Sequence, residues 1–424
     1  MSIAVVGMLD EREEALGFLK QRIQQRGHHP LLLDTSIGVG GTEPSLRPDV
    51  TNSEISRAGG LDPGELKALA SMDREKVTEA MSRGLSKILL ELHLSHRIRG
   101  AVAVGGMTTS TIALPALKAL PFGVPKLLVS SAMAMPAYAG KFSQFLGLRD
   151  ITVMHTVVDT VGMNPLVRTL MNNACGLICG MVDNWEAPRA DDRSAVALTE
   201  LGFCDRGAQL VRELLTGRNY SVVSFHATGM GDRAAEDLVA QGFFQGFVDL
   251  VPAGLSEHIL GGNRDAGPER VTGAVKAAVP YVLAPCGFDM LSCGPLERKD
   301  KGDPLWVQRG IAQRKLLVQD AMRVQARTTP QEMAMVAEAV AQRLNQHPRK
   351  QWVRFIIPNK GFSSLSVEGG PLYDPEADET FTRSLREHLD PGIEIVEVEA
   401  HINEPAFARE VVNSLEELMN RARA

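Results

Sequence analysis

The feature that most constrains this chain is an alternation. Short apolar runs that stop at a glycine or a polar residue alternate with longer amphipathic segments, almost from end to end. Ser2–Val6 is such a run, stopped by Gly7. A charged helical segment follows to Arg26, Gly27 closes it, and His29–Leu33 begins a second run ending at Asp34. A strand, a helix and a strand in that order make a βαβ unit, and such units build parallel sheets.

The same grammar continues. Residues 35–62 are rich in Gly, Pro, Ser and Asp and read as a long excursion, either functional or mobile. A helix is expected over Asp73–His96, a strand at Ala101–Val104, a helix at Thr109–Ala119 and a strand at Lys126–Ser130. Ile151–Val158 reads as a strand and Asn164–Val182 as a helix. The polar stretch Asn184–Arg193 breaks the pattern and marks a domain boundary, giving domains 1–190 and 191–424. Strands then follow at Tyr220–Phe225, Gly246–Leu250, Tyr281–Ala284, Val353–Ile357 and Ile393–Val398. Helices are expected at Asp232–Gln241, Pro330–Asn345, Glu379–Leu389 and Glu404–Met419. The fold class is α/β: two Rossmann-like, doubly wound domains with mostly parallel sheets.

Composition narrows the function classes. At 424 residues the chain exceeds what one core of about 250–300 residues supports. A net charge of −6 argues against a nucleic-acid binder built on phosphate contacts. Residues 100–117 carry no charge, but their glycines, hydroxyls and proline suit a buried strand, loop and helix better than a membrane span. The first residues lack a basic leader, so no signal peptide is expected. The five cysteines follow no disulfide framework and read as buried thiols of a cytoplasmic protein.

Ligands of open α/β sheets collect outside the carboxyl ends of strands, so the loops there are the places to look. Gly105, Gly106, Thr108, Thr109 and Ser110 lead a strand into a helix. Their glycines permit close backbone approach, and amides and hydroxyls can face an anion. His226, Thr228, Gly229 and Gly231 form a second loop of this kind. Neither matches the P-loop or the dinucleotide fingerprint, and on spacing alone turn chemistry is the favoured reading of each, while two such loops in one chain shift the balance towards an anionic ligand. His226 reads either as a general acid/base, a phosphate donor, or a histidine bonded to loop carbonyls. Asp249, Glu257, His258 and Asp265 around Gly261 and Gly262 fit no metal-ligand spacing and read as solvated loop. Asp289, just after a buried strand, is a stronger functional candidate. Asn403, ahead of the last helix, reads as its cap.

At these loops the chain resembles a family: the ATP-binding N-terminal domain of the tomato mosaic virus resistance protein and its uncharacterised bacterial relatives. The resemblance rests on LPFGVPKLLVSS (120–131), on 155–182, on FHATGMGDRAAEDLVAQG (225–242), on the Gly261–Val271 run, on GFDM (287–290) and on HINEPAFA (401–408). It implies two Rossmann-like domains, a homodimer, and ATP in the crevice between the domains; Mg²⁺ is a further cofactor candidate. On that reading Asp10 and Asp289 hold ribose or metal, Gly261 and Gly262 join the cofactor loops, and no separate metal site is expected.

The chain departs from the family pattern at defined points. Thr108 and Thr109 stand where the family has glycines. Gly254 stands where it has a glutamate after a threonine-rich run, and Asp232 where it has a glycine. Gly7 to Arg12 replace a Gly-Thr-x-Asp-Thr-Lys pattern. The expectation is a protein that binds ATP or a related phosphate-bearing, anionic small molecule. Two alternatives stand beside it: a hydrolase or lyase acting on an organic acid through His226 and Asp289, and a protein-interaction module.

Overall fold

A computed structural model describes residues 1–41, 43–186 and 193–424. The chain separates into two compact units, Met1–Arg189 and Ala190–Ala424. The boundary expected at residue 190 falls outside the described residues.

The N-terminal unit holds five strands: β1 (Ser2–Gly7), β2 (His29–Asp34), β3 (Gly100–Gly105), β4 (Lys126–Ser130) and β5 (Thr152–His155). They form one parallel sheet in the order β2-β1-β3-β4-β5. Successive side chains of a strand point to opposite faces, and here that splits the core in two. Ala4 and Val6 pack with helices Arg74–Leu94 and Met107–Ala119. Ile3 and Val5 pack with helices Leu9–Gln25 and Pro165–Asp183. Both faces are covered, as the near-continuous apolar strands require.

The C-terminal unit adds β6 (Ala195–Glu200), β7 (Ser221–His226), β8 (Gly246–Asp249), β9 (Tyr281–Leu283), β10 (Met290–Ser292), β11 (Leu316–Val318), β12 (Val324–Arg327), β13 (Val353–Pro358) and β14 (Glu394–Val398). Six of these form a parallel sheet ordered β14-β13-β9-β8-β6-β7. Phe247 and Phe355 face one core, Val248 and Ile356 the other.

Several elements differ from expectation. β10, β12 and β11 make a separate antiparallel sheet that the alternation did not announce. β6 and helix Asp205–Gly217 fill a stretch left unassigned. The excursion at 35–62 contains helix Asn52–Ala58, opened by a capping box between Thr51 and Glu54. The helix expected from Thr109 begins two residues earlier, at Met107, so Thr108 and Thr109 lie in its first turn. All five cysteines are buried free thiols, and burial pushes Cys179 up to about 12, with Cys175 beside it. Among the described residues no helix is long and apolar enough to cross a membrane.

Candidate functional site

In the N-terminal sheet the strand order reverses between β1 and β3, so their connecting helices lie on opposite faces and leave a crevice at the carboxyl ends. Two loops meet there, Met8–Arg12 and Gly105–Ser110. The segment after β2 is lashed to the first of them. Asp34 Oδ1 accepts from Leu9 N at 3.2 Å and Ser36 N at 2.9 Å, and Ser36 Oγ accepts from Asp10 N at 3.0 Å. Gly40 N donates to Asp10 Oδ2 at 3.0 Å. Burial pushes the Asp34 carboxyl above its ordinary range, against the hydrogen bonds from Ser36. Asp10 therefore holds protein backbone, a role the sequence did not suggest.

Arg12 is the centre of this crevice. Helix Leu9–Gln25 is kinked at this residue, with φ −133° and ψ 30°. Its guanidinium is 5% exposed and pairs with the carboxylates of Glu11 and Asp159, the latter at 2.8 Å. Nε donates to Thr160 Oγ1 at 3.0 Å. A Cβ added at Gly106 would lie 3.2 Å from Arg12 Nη2, so the cation is set directly over the N-cap of helix Met107–Ala119.

The residues of the first predicted cradle divide accordingly. Gly105 is needed because a Cβ there would meet Thr109 Oγ1 at 2.2 Å. Ser110 is buried, donating to Gly106 O and sharing a 2.8 Å bond with Ser130 Oγ. Thr109 Oγ1 and Thr35 Oγ1 are buried without a hydrogen-bond partner. Gly106 and Thr108 are half-buried. Together with Arg12 and the free amides of the helix's first turn, they are what an anion would meet.

The corresponding strand reversal in the C-terminal unit, between β6 and β8, is filled by the protein's own charges. Asp249 accepts from Thr199 Oγ1 at 2.6 Å, from Arg270 at 2.7 Å through each oxygen, and from Tyr281 OH at 2.7 Å. Arg270 is fully buried and also pairs with Glu236 and, at 3.5 Å, with Asp232. Glu257 is buried against Arg264 at 2.6 Å. Asp249 and Glu257 thus correct the solvated-loop expectation; only His258 and Asp265, paired at 3.0 Å, match it.

The second predicted cradle is shaped by packing. Gly229 has φ +95°, and a Cβ there would lie 3.1 Å from Asp265 O. A Cβ at Gly231 would meet His226 O at 2.0 Å. His226 and Thr228 are exposed at the end of edge strand β7. Gly261 is the left-handed C-cap of helix Gly254–Leu260, and a Cβ at Gly262 would meet Glu257 Oε2 at 1.6 Å. Asp289 is fully buried, accepting from Gly287 N at 3.0 Å and from Ser363 Oγ. β7 and β9 are three strand spacings apart, about 14 Å laterally, so His226 and Asp289 are not brought together. Among the described residues no three His, Cys, Asp or Glu side chains converge as a metal site.

One strand end escaped the sequence reading. The loop after β13, Asn359–Ser366, has a glycine and three serines and lines a cavity of about 1040 Å³ within the C-terminal unit. Its glycine and hydroxyl content was the available signal.

Two family profiles match the chain. Residues 1–187 match the N-terminal domain, and residues 193–419 the C-terminal domain, of an uncharacterised protein family, UPF0261. The chain belongs to the UPF0261 family. A UPF0261 protein of Clostridium tetani is 30% identical over 99% of both chains. One of Brucella suis is 28% identical over 96% of this chain and 93% of its own. The ToMV resistance protein Tm-1(GCR237) of Solanum lycopersicum is 29% identical over 81% of this chain and 44% of its own. Likeness to solved structures is weak: a UDP-N-acetylglucosamine 2-epimerase gives a TM-score of 0.24 at 10% identity, over 67% of this chain and 79% of that one.

Two of this UPF0261 chain's departures from the pattern meet in space. A Cβ at Gly254 would lie 2.3 Å from Asp232 Oδ2. The Asp232 carboxylate thus fills the space that the first atom of any side chain at position 254 would enter. Burial pushes Asp232 upward, opposed by Arg270 and reinforced by Asp249.

Proposed function

We propose that this protein binds a phosphate-bearing, anionic small molecule at the β1/β3 strand reversal of its N-terminal unit. ATP is the member of that class which the family resemblance implies. The observation that carries the reading is Arg12, a buried cation placed over the N-terminus of helix Met107–Ala119. Backbone amides and a guanidinium aimed at one point favour a phosphate. The unpartnered hydroxyl of Thr109 in the same turn fits a ligand of this kind. Asp10 Oδ2 accepts from Gly40 N, so this carboxylate serves the loop backbone. Asp159 is 62% exposed and presently takes the place of an anion beside Arg12, so a phosphate would compete with it.

Titration of the full chain with ATP and with inorganic phosphate, read by melting temperature and calorimetry, tests this. A ligand at 100 times its Kd adds about 2.7 kcal/mol of stability. ATP is expected to raise the melting temperature, Arg12→Gln to abolish the shift, and Asp159→Asn to enlarge it. The opposite sign for Asp159→Asn separates ligand binding from a merely structural Arg12. No shift with either ligand at millimolar concentration would overturn the reading. Light scattering on the same samples checks the homodimer that the resemblance implies.

A further inference from the structure

The segment between β5 and helix Pro165–Asp183 runs past Arg12 and is fastened at few points. At its start Thr156 N donates to Ser130 O of β4 at 3.1 Å. At its end Asn164 Oδ1 caps the helix, accepting from Leu166 N and Val167 N at 3.0 Å each, and Met163 packs on the core beside it. Between these anchors no backbone group of residues 159–163 has a hydrogen-bond partner among the described residues. The polar contacts that hold the middle of the segment both come from Arg12. Nη2 donates to Asp159 Oδ1 at 2.8 Å and Nε to Thr160 Oγ1 at 3.0 Å.

The turn that opens the segment is strained. Val157 has φ +62°, in the left-handed region that a β-branched residue rarely enters. Val158 N donates to Thr156 O across it at 2.6 Å, a three-residue γ-turn of the rare and costly hand. Thr156 Oγ1 closes the same turn by donating to Val158 O at 2.8 Å. The valine side chain recovers little by packing, since it is 81% exposed. Strain of this kind persists only where the surroundings hold it, and Arg12 supplies the bonds that hold this segment down.

We propose that residues 157–163 form a strap over the N-terminal crevice, latched to Arg12 by Asp159 and Thr160, and that an arriving anion releases it. This rests on the anion reading of the crevice and adds a regulation to it. An anion that takes the guanidinium displaces Asp159, and the freed segment lets Val157 return to negative φ. The strain belongs to the latched form alone, so it favours release, whereas the Arg12 ion pair favours the latch. Affinity for the anion therefore depends on how these two opposing effects divide the strap between its latched and released forms.

The test uses the full chain carrying a nitroxide on Val161→Cys, a position 51% exposed, while the five native thiols are buried. Without ligand the label should tumble slowly, and Asp159→Asn should shorten its rotational correlation time severalfold. ATP should free the label in the latched protein in the same way, with binding read in parallel by calorimetry. Val157→Asn separates a strained strap from a passive loop, because asparagine tolerates positive φ. It should latch the strap more firmly and weaken ATP binding about threefold or more, although the side chain it replaces faces solvent. Unchanged affinity in Val157→Asn, or equal label motion with and without Asp159→Asn, would overturn the strap. ATP bound without freeing the label would overturn it as well and leave the anion reading standing. A label freed by Asp159→Asn in a protein that binds neither ATP nor inorganic phosphate would overturn both.

Discussion

At the scale of single residues, the glycines carry the clearest lesson. Position in the loops marks Gly105, Gly231 and Gly262, and departure from the family pattern marks Gly254, but neither says what approaches them. In each case it is the protein itself: Thr109, the His226 carbonyl, Asp232 and Glu257 respectively. Such a neighbour is distant in sequence or turned back on its own loop, so local pattern cannot reveal it. The Gly254–Asp232 pair gives a direct test. A methyl at 254 would lie 2.3 Å from Asp232 Oδ2 and 2.4 Å from Ala266 Cβ, so Gly254→Ala should cost about 1–3 kcal/mol through overpacking. Adding Asp232→Gly should restore part of that loss, with a coupling energy of about 1 kcal/mol or more. Urea unfolding of the two single variants and the double variant measures it, and strict additivity would show that the two positions do not share the space.

Among elements, the long strands and helices were legible because period and length agree. β1 to β4 and most long helices appear within a few residues of expectation. β10, β11 and β12 did not, since strands of three or four residues show no periodicity to read. β6 was missed because Ala195 and Ala197 dilute its apolar signal beside a polar break. Capping also deceived. Asn403 was expected to cap the last helix, yet that helix opens at Glu404 without a side-chain cap. Asn403 Oδ1 instead accepts from Gly207 N at 2.9 Å, in the first turn of helix Asp205–Gly217, while its Nδ2 donates to Phe203 O at 3.1 Å. One residue therefore ties the start of one helix to the approach of another. Asn403→Ala should lower stability by about 1–2 kcal/mol, the usual cost of losing a cap. Amide exchange at Gly207 should rise by more than at Ala408, in the last helix. Equal change at both would assign Asn403 to the last helix after all.

Over the whole molecule, the same wiring occurs twice. Taken in chain order, each large sheet places its second strand at one edge, then its first, then the remaining strands in sequence. The alternation of elements announced parallel sheets in both halves, but not this order, because strand neighbours depend on contacts between residues far apart. The order decides what each strand reversal can do. In the N-terminal unit it leaves Arg12 over a helix end, whereas in the C-terminal unit Asp249, Arg270, Glu236 and Asp232 fill it.

Burying carboxyl groups on this scale has a consequence for the pH dependence of folding. Asp34, Asp232, Glu236, Glu257 and Asp378 are all raised, with burial the largest cause in each. An acid whose folded pKa exceeds its unfolded one contributes stability that is fully present below the unfolded value and is lost as pH rises through the folded value. For Asp378 that window runs from 3.8 to about 7. The melting temperature should therefore fall between pH 5 and pH 8, where acid-paired proteins usually hold level. Asp378→Asn, isosteric and unable to ionise, should flatten the part of that slope between pH 5 and pH 7, a difference of roughly 2–4 kcal/mol across the full window. Calorimetric scans of both proteins at half-unit pH steps supply the comparison. Parallel curves would mean that Arg327, 2.6 Å from Asp378, already holds it ionised in the folded protein.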